Sequence, residues 1–272
     1  MDCTMKVAHE APLCMFEDIQ RHTDYDYALV HLFEESPEYL EKFREAKKKG
    51  REIILDNSIF ELNEAFDMVK FDRWVKDLQP TWYIVPDVLE DCQGTIDNFE
   101  VWKFKNFGHP DSKSIGVVQG KTYEELVECY RYMAENADMI AISFDYSFFE
   151  EVFPDEETKY HKWVKGRQWL VQKLEDDGVI QQDIPHHLLG TGLPQEFAYY
   201  RHKKYIYSCD TSNPVVHGMF GERYQRQPEY DIYGLNNKLS VKLFELINSE
   251  VSPENFDDIL YNVEYFKRNM YV

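Results

Sequence analysis

No stretch of the sequence is apolar over the roughly 20 residues that a membrane-spanning helix needs. The opening MDCTMKVAHE also lacks the charged region and the apolar region of a signal peptide. We therefore expect a soluble, cytoplasmic protein with no membrane partner.

Cysteine is scarce and scattered. The five residues are Cys3, Cys14, Cys92, Cys129 and Cys209, and they include no C-x-x-C pair. An odd and widely spaced set of this kind argues against a disulfide framework and against a cysteine zinc site. We expect reduced thiols, no bound metal and no cofactor.

Positive charge is also in short supply. The chain has 30 Lys and Arg residues against 50 Asp and Glu residues, so its formal net charge is −20. A chain with this charge repels the phosphates of nucleic acids. A DNA or RNA partner would therefore have to be held by a local basic patch.

Linkers and low-complexity segments are missing as well, so nothing marks a domain boundary. What recurs instead is a short β-prone run followed by a polar or amphipathic stretch. Eight such runs occupy residues 4–10, 27–33, 52–57, 82–87, 114–120, 138–144, 186–192 and 205–211. We expect one domain over residues 1–272, because this length suits a single α/β unit with a large core.

Helix signals fill most of the gaps between these runs. Ser36 and Thr122 are plausible N-caps, and Gly50 and Gly178 stand where helical patterns stop. Strands that alternate with helices favour a parallel sheet, and eight units in about 250 residues is the size of a (β/α)8 barrel. A doubly wound open sheet is the alternative, because periodicity does not tell whether a sheet closes. From residue 237 onward we expect two extra helices packed outside.

Polar residues follow four of the predicted strands directly. They are Asp56 and Asn57, Asp87, Gln119 and Gly120, and Asp210. Each alone is adequately explained as a helix cap or turn residue. In a (β/α)8 barrel, however, the carboxyl ends of the strands form the active site, so the four sets would converge. Paired carboxylates suit chemistry at a glycosidic carbon, where one attacks and another handles protons.

Two other conspicuous pairs of side chains are expected to be structural. His186 and His187 open a strand, and Trp163 and Trp169 are assigned to the core.

Four segments resemble the queuine and archaeosine tRNA-guanine transglycosylases, a (β/α)8 family that exchanges a guanine for a 7-deazaguanine. LDNSIFE (55–61) stands in the place of the family's aspartate, serine, glycine and aromatic segment, and SIGVVQGKTYEEL (114–126) is similar to its G-I-V-Q-G segment. HHLLGTGLPQEF (186–197) resembles its L-M-G-x-G-x-P segment, and YSCDTSNP (207–214) resembles its nucleophile segment. The matches follow the family's order.

The resemblance implies a role for each matching residue. Asp210 would be the nucleophile that attacks C1′ and holds the sugar covalently, and Asp56 would be the general acid and base. Asp87 would bind the guanine-like edge of the base. Residues implied in the rest of the base pocket are Gln119, Gly120, Phe60, Leu189, Gly190 and Asn57. Phe60 and Leu189 would form the two faces of an apolar slot for the flat ring.

The chain also departs from the tRNA enzymes. It has no cysteine after Cys209, so the zinc module of that family is absent, and Val215, Val216 and His217 replace arginines that grip the anticodon loop. In both respects it is most similar to the 7-deazaguanine DNA transglycosylases, the DpdA branch found in bacteria and phages. The resemblance implies exchange of guanine in DNA for free 7-cyano-7-deazaguanine (preQ0) or a relative, in the host cytoplasm if a phage encodes the chain.

A guanine inside a duplex does not reach such a pocket, so the target would be flipped out or single-stranded. The basic patch expected to contact the nucleic acid lies in RHKK and nearby, with Arg201, Lys203, Lys204 and Arg223. A solvated helix face is the alternative explanation of these residues. A homodimer or partner proteins could supply further DNA contacts.

Three other functions remain open at this stage. The same exchange could take place on tRNA, or a nucleosidase could use the same carboxylates with water in place of the incoming base. An inactive barrel that only binds nucleic acid is the third, and the presence of both Asp56 and Asp210 speaks against it.

Overall fold

The computed structural model describes residues 5–64 and 66–271. Eight parallel strands form its central sheet: β1 (Lys6–Ala8), β2 (Asp26–Leu29), β3 (Ile53–Asp56), β4 (Trp82–Ile84), β5 (Lys113–Val118), β6 (Met139–Ser143), β7 (His186–Leu189) and β8 (Ile206–Asp210). Each strand pairs with its neighbour along the chain from β2 to β8, and β8 pairs with β1.

The seam between β1 and β2 is where the sheet closes. The Asp24 backbone N–H donates to the Val7 carbonyl oxygen at 2.9 Å, and the Val7 N–H donates to the Asp24 carboxylate at 3.0 Å. Lys267 holds the same carboxylate at 2.7 Å. The sheet is therefore a nearly closed barrel flanked by helices, which confirms the predicted (β/α)8 fold.

Helices connect the strands on the outside of the barrel. Their bounds are α1 (Phe16–Gln20), α2 (Val30–Glu35), α3 (Pro37–Lys48), α4 (Ile59–Leu62), α5 (Met68–Leu78), α6 (Cys92–Phe104), α7 (Tyr123–Asn136), α8 (Ser147–Val152), α9 (Lys159–Asp176), α10 (Phe197–Tyr200), α11 (Asn213–Met219), α12 (Leu243–Ile247) and α13 (Pro253–Arg268). Two 3-10 turns lie at Leu13–Met15 and Pro194–Glu196. No helix within the described ranges is both long enough and apolar enough to cross a bilayer.

The capping residues act as predicted. The Ser36 side chain accepts from the Tyr39 N–H at 3.2 Å, and the Thr122 side chain accepts from the Glu125 N–H at the same distance. Gly178, just after α9, has a φ of +68°, the left-handed conformation that glycine adopts without strain.

The strands end one to four residues before the ends of the predicted runs, and two of these differences have a local cause. Residues 30–33 of the second run belong to α2. All four are buried, and a short buried run does not distinguish a strand from a helix. The fourth run stops at Ile84, two residues before Pro86, which has no N–H to donate to a sheet.

A second apolar cluster forms where the C-terminal helices α12 and α13 pack outside the barrel, as predicted. Its buried members are Ala11, Met15, Ile19, Val215, Val216, Leu246, Ile259 and Val263. Gly218 lets α11 approach α13 closely, since an added Cβ would lie 2.5 Å from the Ile259 Cα. A small antiparallel hairpin, β9 (Gln225–Gln227) and β10 (Ile232–Gly234), was not predicted.

Candidate active site

An open pocket lies at the carboxyl ends of the barrel strands. Every strand, or the loop that follows it, contributes to its lining: Glu10, Tyr27, Leu29, Asp56, Asn57, Ile59, Phe60, Glu61, Ile84, Asp87, Leu89, Val117, Gln119, Ser143, Phe144, Asp145, Leu189, Gly190 and Asp210. Its empty volume of about 590 Å³ is in the range of sites for small molecules. The convergence expected from the sequence is therefore present for Asp56, Asp87, Gln119 and Asp210.

Asp210 ends β8 and is almost fully buried. Its Oδ1 accepts the Gly190 N–H at 3.0 Å and lies 3.1 Å from His187 Nε2. His187 Nδ1 lies 2.8 Å from Ser208 Oγ, so a ring protonated on Nε2 satisfies both contacts at once. Two donors aimed at one carboxylate oxygen hold the side chain in a fixed direction.

Asp56 ends β3 and is also buried. The Tyr27 hydroxyl donates to its Oδ2 at 2.6 Å, and the Ser58 N–H donates to its Oδ1 at 2.5 Å. Burial raises the pKa of Asp56 to about 7, and the negative charges of Asp210 and Asp87 act in the same direction against those two hydrogen bonds. Asp56 is therefore a carboxyl group that exchanges its proton near neutral pH.

Tyr27 links the two aspartates. Its ring stacks on that of His187 with centroids 5.8 Å apart, while its hydroxyl binds Asp56 and His187 binds Asp210. Tyr27 and His187 thus form a continuous chain of contacts between Asp56 and Asp210.

Asp87 is held by two amides. Asn57 Nδ2 donates to its Oδ1 at 2.7 Å and Gln119 Nε2 donates to its Oδ2 at 2.6 Å. Burial raises the pKa of Asp87, and the two amide hydrogen bonds oppose the shift. Gln119 is itself fixed, since its Oε1 accepts the Glu90 N–H at 2.9 Å. This trio forms an inflexible polar wall.

Apolar side chains cover another part of the pocket. Phe60 is 54% exposed and lies beside Phe144, with ring centroids 5.8 Å apart. Leu189 also lines the pocket. An exposed aromatic ring at the mouth of a polar pocket offers a surface on which a flat ligand could stack.

Arg167 supports this edge of the barrel from α9. Its guanidinium forms a fully buried pair with Glu196, at 2.6 Å from Nε to Oε1. Its Nη atoms donate to the Leu189 carbonyl at 2.7 Å and to the Gly190 carbonyl at 3.0 Å. Because Gly190 has a φ of +60° and its N–H points at Asp210, this buried pair fixes a contact of the candidate nucleophile.

Several ionisable residues that line the pocket were not predicted from the sequence. Burial raises the pKa of Glu10 well above its usual range, with the charge of Asp210 as the next cause, and burial raises that of Glu61 to about 8. Burial also raises the pKa of Asp145. Lys238 is a cation beside them, and its burial lowers its pKa to about 8. Glu10 ends a predicted strand and Asp145 directly follows one. A search for polar residues at strand ends, which identified Asp56, could therefore have identified both.

Not every predicted site residue joins the pocket. Gly120 does not line it; an added Cβ there would lie 2.8 Å from the Glu125 Cβ, so Gly120 serves the packing of α7.

The predicted basic patch lies elsewhere. Lys203 and Lys204 precede β8, at the end of the strand opposite Asp210. Lys203 is paired with Glu175 at 2.5 Å, and Arg223 is paired with Asp258. Arg201 donates to the backbone of Asn269 at 2.8 Å and of Asp231 at 2.6 Å. These residues are not brought together with the pocket.

The histidines and tryptophans divide between structure and site. His186 is structural as expected, since Tyr130 and the Ile184 carbonyl hold its ring. His187 instead contacts Asp210 directly. Trp169 packs against the core, whereas Trp163, although packed on the core, also lines a groove next to the pocket.

The fold and the pocket define a (β/α)8 protein with an acidic, partly aromatic site at the carboxyl ends of its strands. No protein-family model matches the chain, and a search of curated proteins finds no similar sequence. Within the described residues, no group of His, Cys, Asp and Glu side chains could hold a metal ion.

Proposed function

We propose that this protein exchanges guanine in DNA for a 7-deazaguanine, 7-cyano-7-deazaguanine or a relative, through a covalent aspartyl-sugar intermediate. The observation that carries the proposal is that Asp210 and Asp56 line one pocket together with the apolar side chains of Phe60 and Leu189. Two carboxylates in different environments and a surface for a flat ring are what base exchange at C1′ requires.

In the first step, an Asp210 carboxylate oxygen attacks C1′ of the nucleotide. The C1′–O bond forms as the C1′–N9 bond breaks, and the guanine leaves with the electron pair. Asp56 supplies the proton that neutralises the departing base, because a purine anion is a poor leaving group. A carboxyl with a pKa of about 7 holds that proton in a large fraction of molecules at neutral pH.

The second step reverses the first with a new base. The incoming 7-deazaguanine gives its N9 proton to Asp56, and its N9 attacks C1′ as the bond to Asp210 breaks. Asp56 regains the proton that it lost, so no external acid or base is consumed. Two displacements at one carbon retain its configuration.

The polar wall of Asn57, Asp87 and Gln119 supports recognition of the base. Asp87 is held by amides on both oxygens, so it is positioned to accept further N–H donors from the edge of a guanine-like ring. A base that lacks those donors would not form these additional hydrogen bonds to Asp87 and would bind more weakly.

The choice of DNA rests on the sequence. Residues 211–272 contain no cysteine that could belong to a zinc module, and no arginine directly follows Asp210 to hold an anticodon loop. The tRNA reaction uses identical chemistry and remains the sister hypothesis.

One observation favours a nucleosidase as a second candidate. Glu10 and Glu61 each have a buried Oε2 atom without a hydrogen-bond partner, and both residues line the pocket. Such an oxygen could orient a water for attack on the sugar, which would release a free base without replacement.

A labelled-base experiment tests these functions against each other. The protein is incubated with radiolabelled 7-cyano-7-deazaguanine and either single-stranded DNA, duplex DNA or tRNA, and nucleosides are then separated. We expect label in DNA and an equal amount of released guanine. Label in tRNA alone would overturn the choice of substrate, and guanine release without label would favour the nucleosidase. The Asp210→Asn variant serves as the background control.

A further inference from the structure

A groove continues from the pocket outward past the first turn of α9. Beyond the residues that it shares with the pocket, it is lined by Lys159, Tyr160, Trp163, Thr191, Thr211, Ser212, Lys238, Leu239, Ser240, Val241 and Leu243. Its empty volume is about 780 Å³. The candidate nucleophile Asp210 lies at the inner end of the groove. A strand that carries the reacting sugar therefore has room to continue outward along the groove.

The outer part of the groove is cationic and rich in hydroxyl groups. Lys159 is exposed and belongs to none of the ion pairs formed by the described residues. Lys238 donates to the Thr191 carbonyl at 2.5 Å, and its ammonium lies 4.1 Å from the centroid of the Phe144 ring. The carboxyl groups of the groove, Glu10, Glu61 and Asp210, are shared with the pocket at the inner end.

Two aromatic rings flank Lys159. Its ammonium lies 5.3 Å from the centroid of Tyr160 and 5.1 Å from that of Trp163. Trp163 is fixed by a hydrogen bond from its Nε1 to Glu150 at 3.1 Å and by edge contact with Phe144. A lysine beside a rigid aromatic platform is the combination by which proteins hold single-stranded nucleic acid, with phosphate on the cation and a base on the ring.

We propose that this groove binds the nucleic-acid strand next to the target nucleotide, with Lys159 on a phosphate and an adjacent base stacked on Trp163 and Tyr160. Lys238 and the hydroxyls of Thr211 and Ser212 face the backbone of the target nucleotide itself. This inference rests on the proposed function, since it gives the substrate of that site its direction of entry. It also explains how a chain with a net charge of −20 could hold a polyanion.

The test is equilibrium binding of a fluorescent 9-nucleotide single strand with a central guanine, measured by anisotropy in an Asp210→Asn background that removes the covalent step. We expect Trp163→Ala to weaken binding roughly tenfold or more, and Trp163→Phe, which keeps a stacking ring, to retain most of the affinity. Lys159→Gln should lower the slope of log affinity against log salt by about 0.7.

The matched control is Lys204→Gln, an exposed lysine at the opposite end of the barrel, which should leave affinity within about twofold of the background. Equal losses for Lys204→Gln and Lys159→Gln would overturn the groove. So would unchanged binding in both Lys159→Gln and Trp163→Ala.

This measurement separates the groove from the chemistry. Binding of a strand needs no base exchange, so Lys159-dependent binding without label incorporation would reject the proposed function and keep the groove. Incorporation of label that is unaffected by Lys159→Gln and Trp163→Ala would reject the groove and keep the proposed function. Parallel DNA and RNA strands of one sequence tell which backbone the groove prefers.

Discussion

Asp56 and Asp210 have the same side chain in different surroundings. Asp210 lies against two nitrogen atoms, the Gly190 N–H and His187 Nε2, which hold its carboxylate in one direction. Asp56 accepts a phenol and a backbone N–H, but burial outweighs both and raises its pKa to about 7. Under the proposed function, these surroundings suit Asp210 to the attack and Asp56 to the proton transfer.

This division predicts different failures for the two asparagine variants. Asp210→Asn should lower base exchange roughly a thousandfold or more and abolish the covalent adduct, because an amide is not a nucleophile at C1′. Asp56→Asn should still form an adduct, but slowly because the amide does not protonate the departing guanine, and it should block turnover because the amide takes no proton from the incoming base. A denaturing gel with a labelled oligonucleotide measures both. An active Asp210→Asn protein would remove the nucleophile assignment.

The residues that sequence reasoning found are those whose place depends only on where a strand ends. Asp56, Asp87 and Asp210 each stand directly after a β-prone run, and a barrel topology brings such residues together. His187 and Tyr27 lie within strands, and their contacts depend on the register between neighbours and on which residues face the barrel interior. Nothing in a single sequence fixes that register in advance.

Helix α9 connects the stability of the barrel with the site. Its buried Arg167 reaches the carbonyl ends of β6 and β7 and pairs with Glu196, whose carboxylate also accepts the Tyr200 hydroxyl at 2.9 Å. Its first turn carries Lys159 and Trp163 toward the groove. A single element therefore sets the position of the Gly190 N–H and of the proposed strand platform.

Loss of Arg167 should be costly. Arg167→Met leaves the Glu196 carboxylate buried without its partner, and we expect a loss of about 3–5 kcal/mol in the free energy of unfolding, measured by urea denaturation. The control is Lys165→Met on the same helix, whose ion pair with Glu156 is partly exposed and should contribute at most about 1 kcal/mol. Equal losses in the two variants would show that the buried pair has no special weight.

At the level of elements, periodicity and capping residues were enough to predict all eight barrel strands and the helices behind Ser36 and Thr122. They failed where the signal was ambiguous or absent. The run over 27–33 is buried throughout, so its pattern does not show where the strand ends and the helix begins. The hairpin β9–β10 consists of strands of only three residues, one of them Gln225–Gln227, which are too short to show a pattern. Packing on the barrel, rather than local pattern, decides both cases.

Carboxyl groups with raised pKa values are concentrated in the pocket at one end of the barrel, in a protein with a net charge of −20. Burial raises the pKa of Asp56 to about 7 and of Glu61 to about 8, above the values near 4 in an unfolded chain. Burial lowers the pKa of His9 and His186 to about 4 and that of Lys238 to about 8, so each of these three groups opposes the carboxyl trend by about 0.4 kcal/mol between pH 6.5 and pH 8. The carboxyl contribution is therefore isolated by comparing the wild type with a variant that lacks these carboxyl groups between about pH 6.5 and pH 8.

In that window the folded protein binds more protons than the unfolded chain, so its stability should fall as the pH rises. The contributions of Asp56 and Glu61 together amount to about 2 kcal/mol, of which the three opposing groups offset about half, so the unfolding temperature should decrease by about 2–4 °C between pH 6.5 and pH 8, measured by thermal denaturation. The double variant Asp56→Asn with Glu61→Gln cannot release these protons, so its unfolding temperature should not decrease over the same interval. A wild-type protein that becomes more stable toward pH 8, or a double variant with an unchanged slope, would mean that these carboxyl groups are already ionised in the fold.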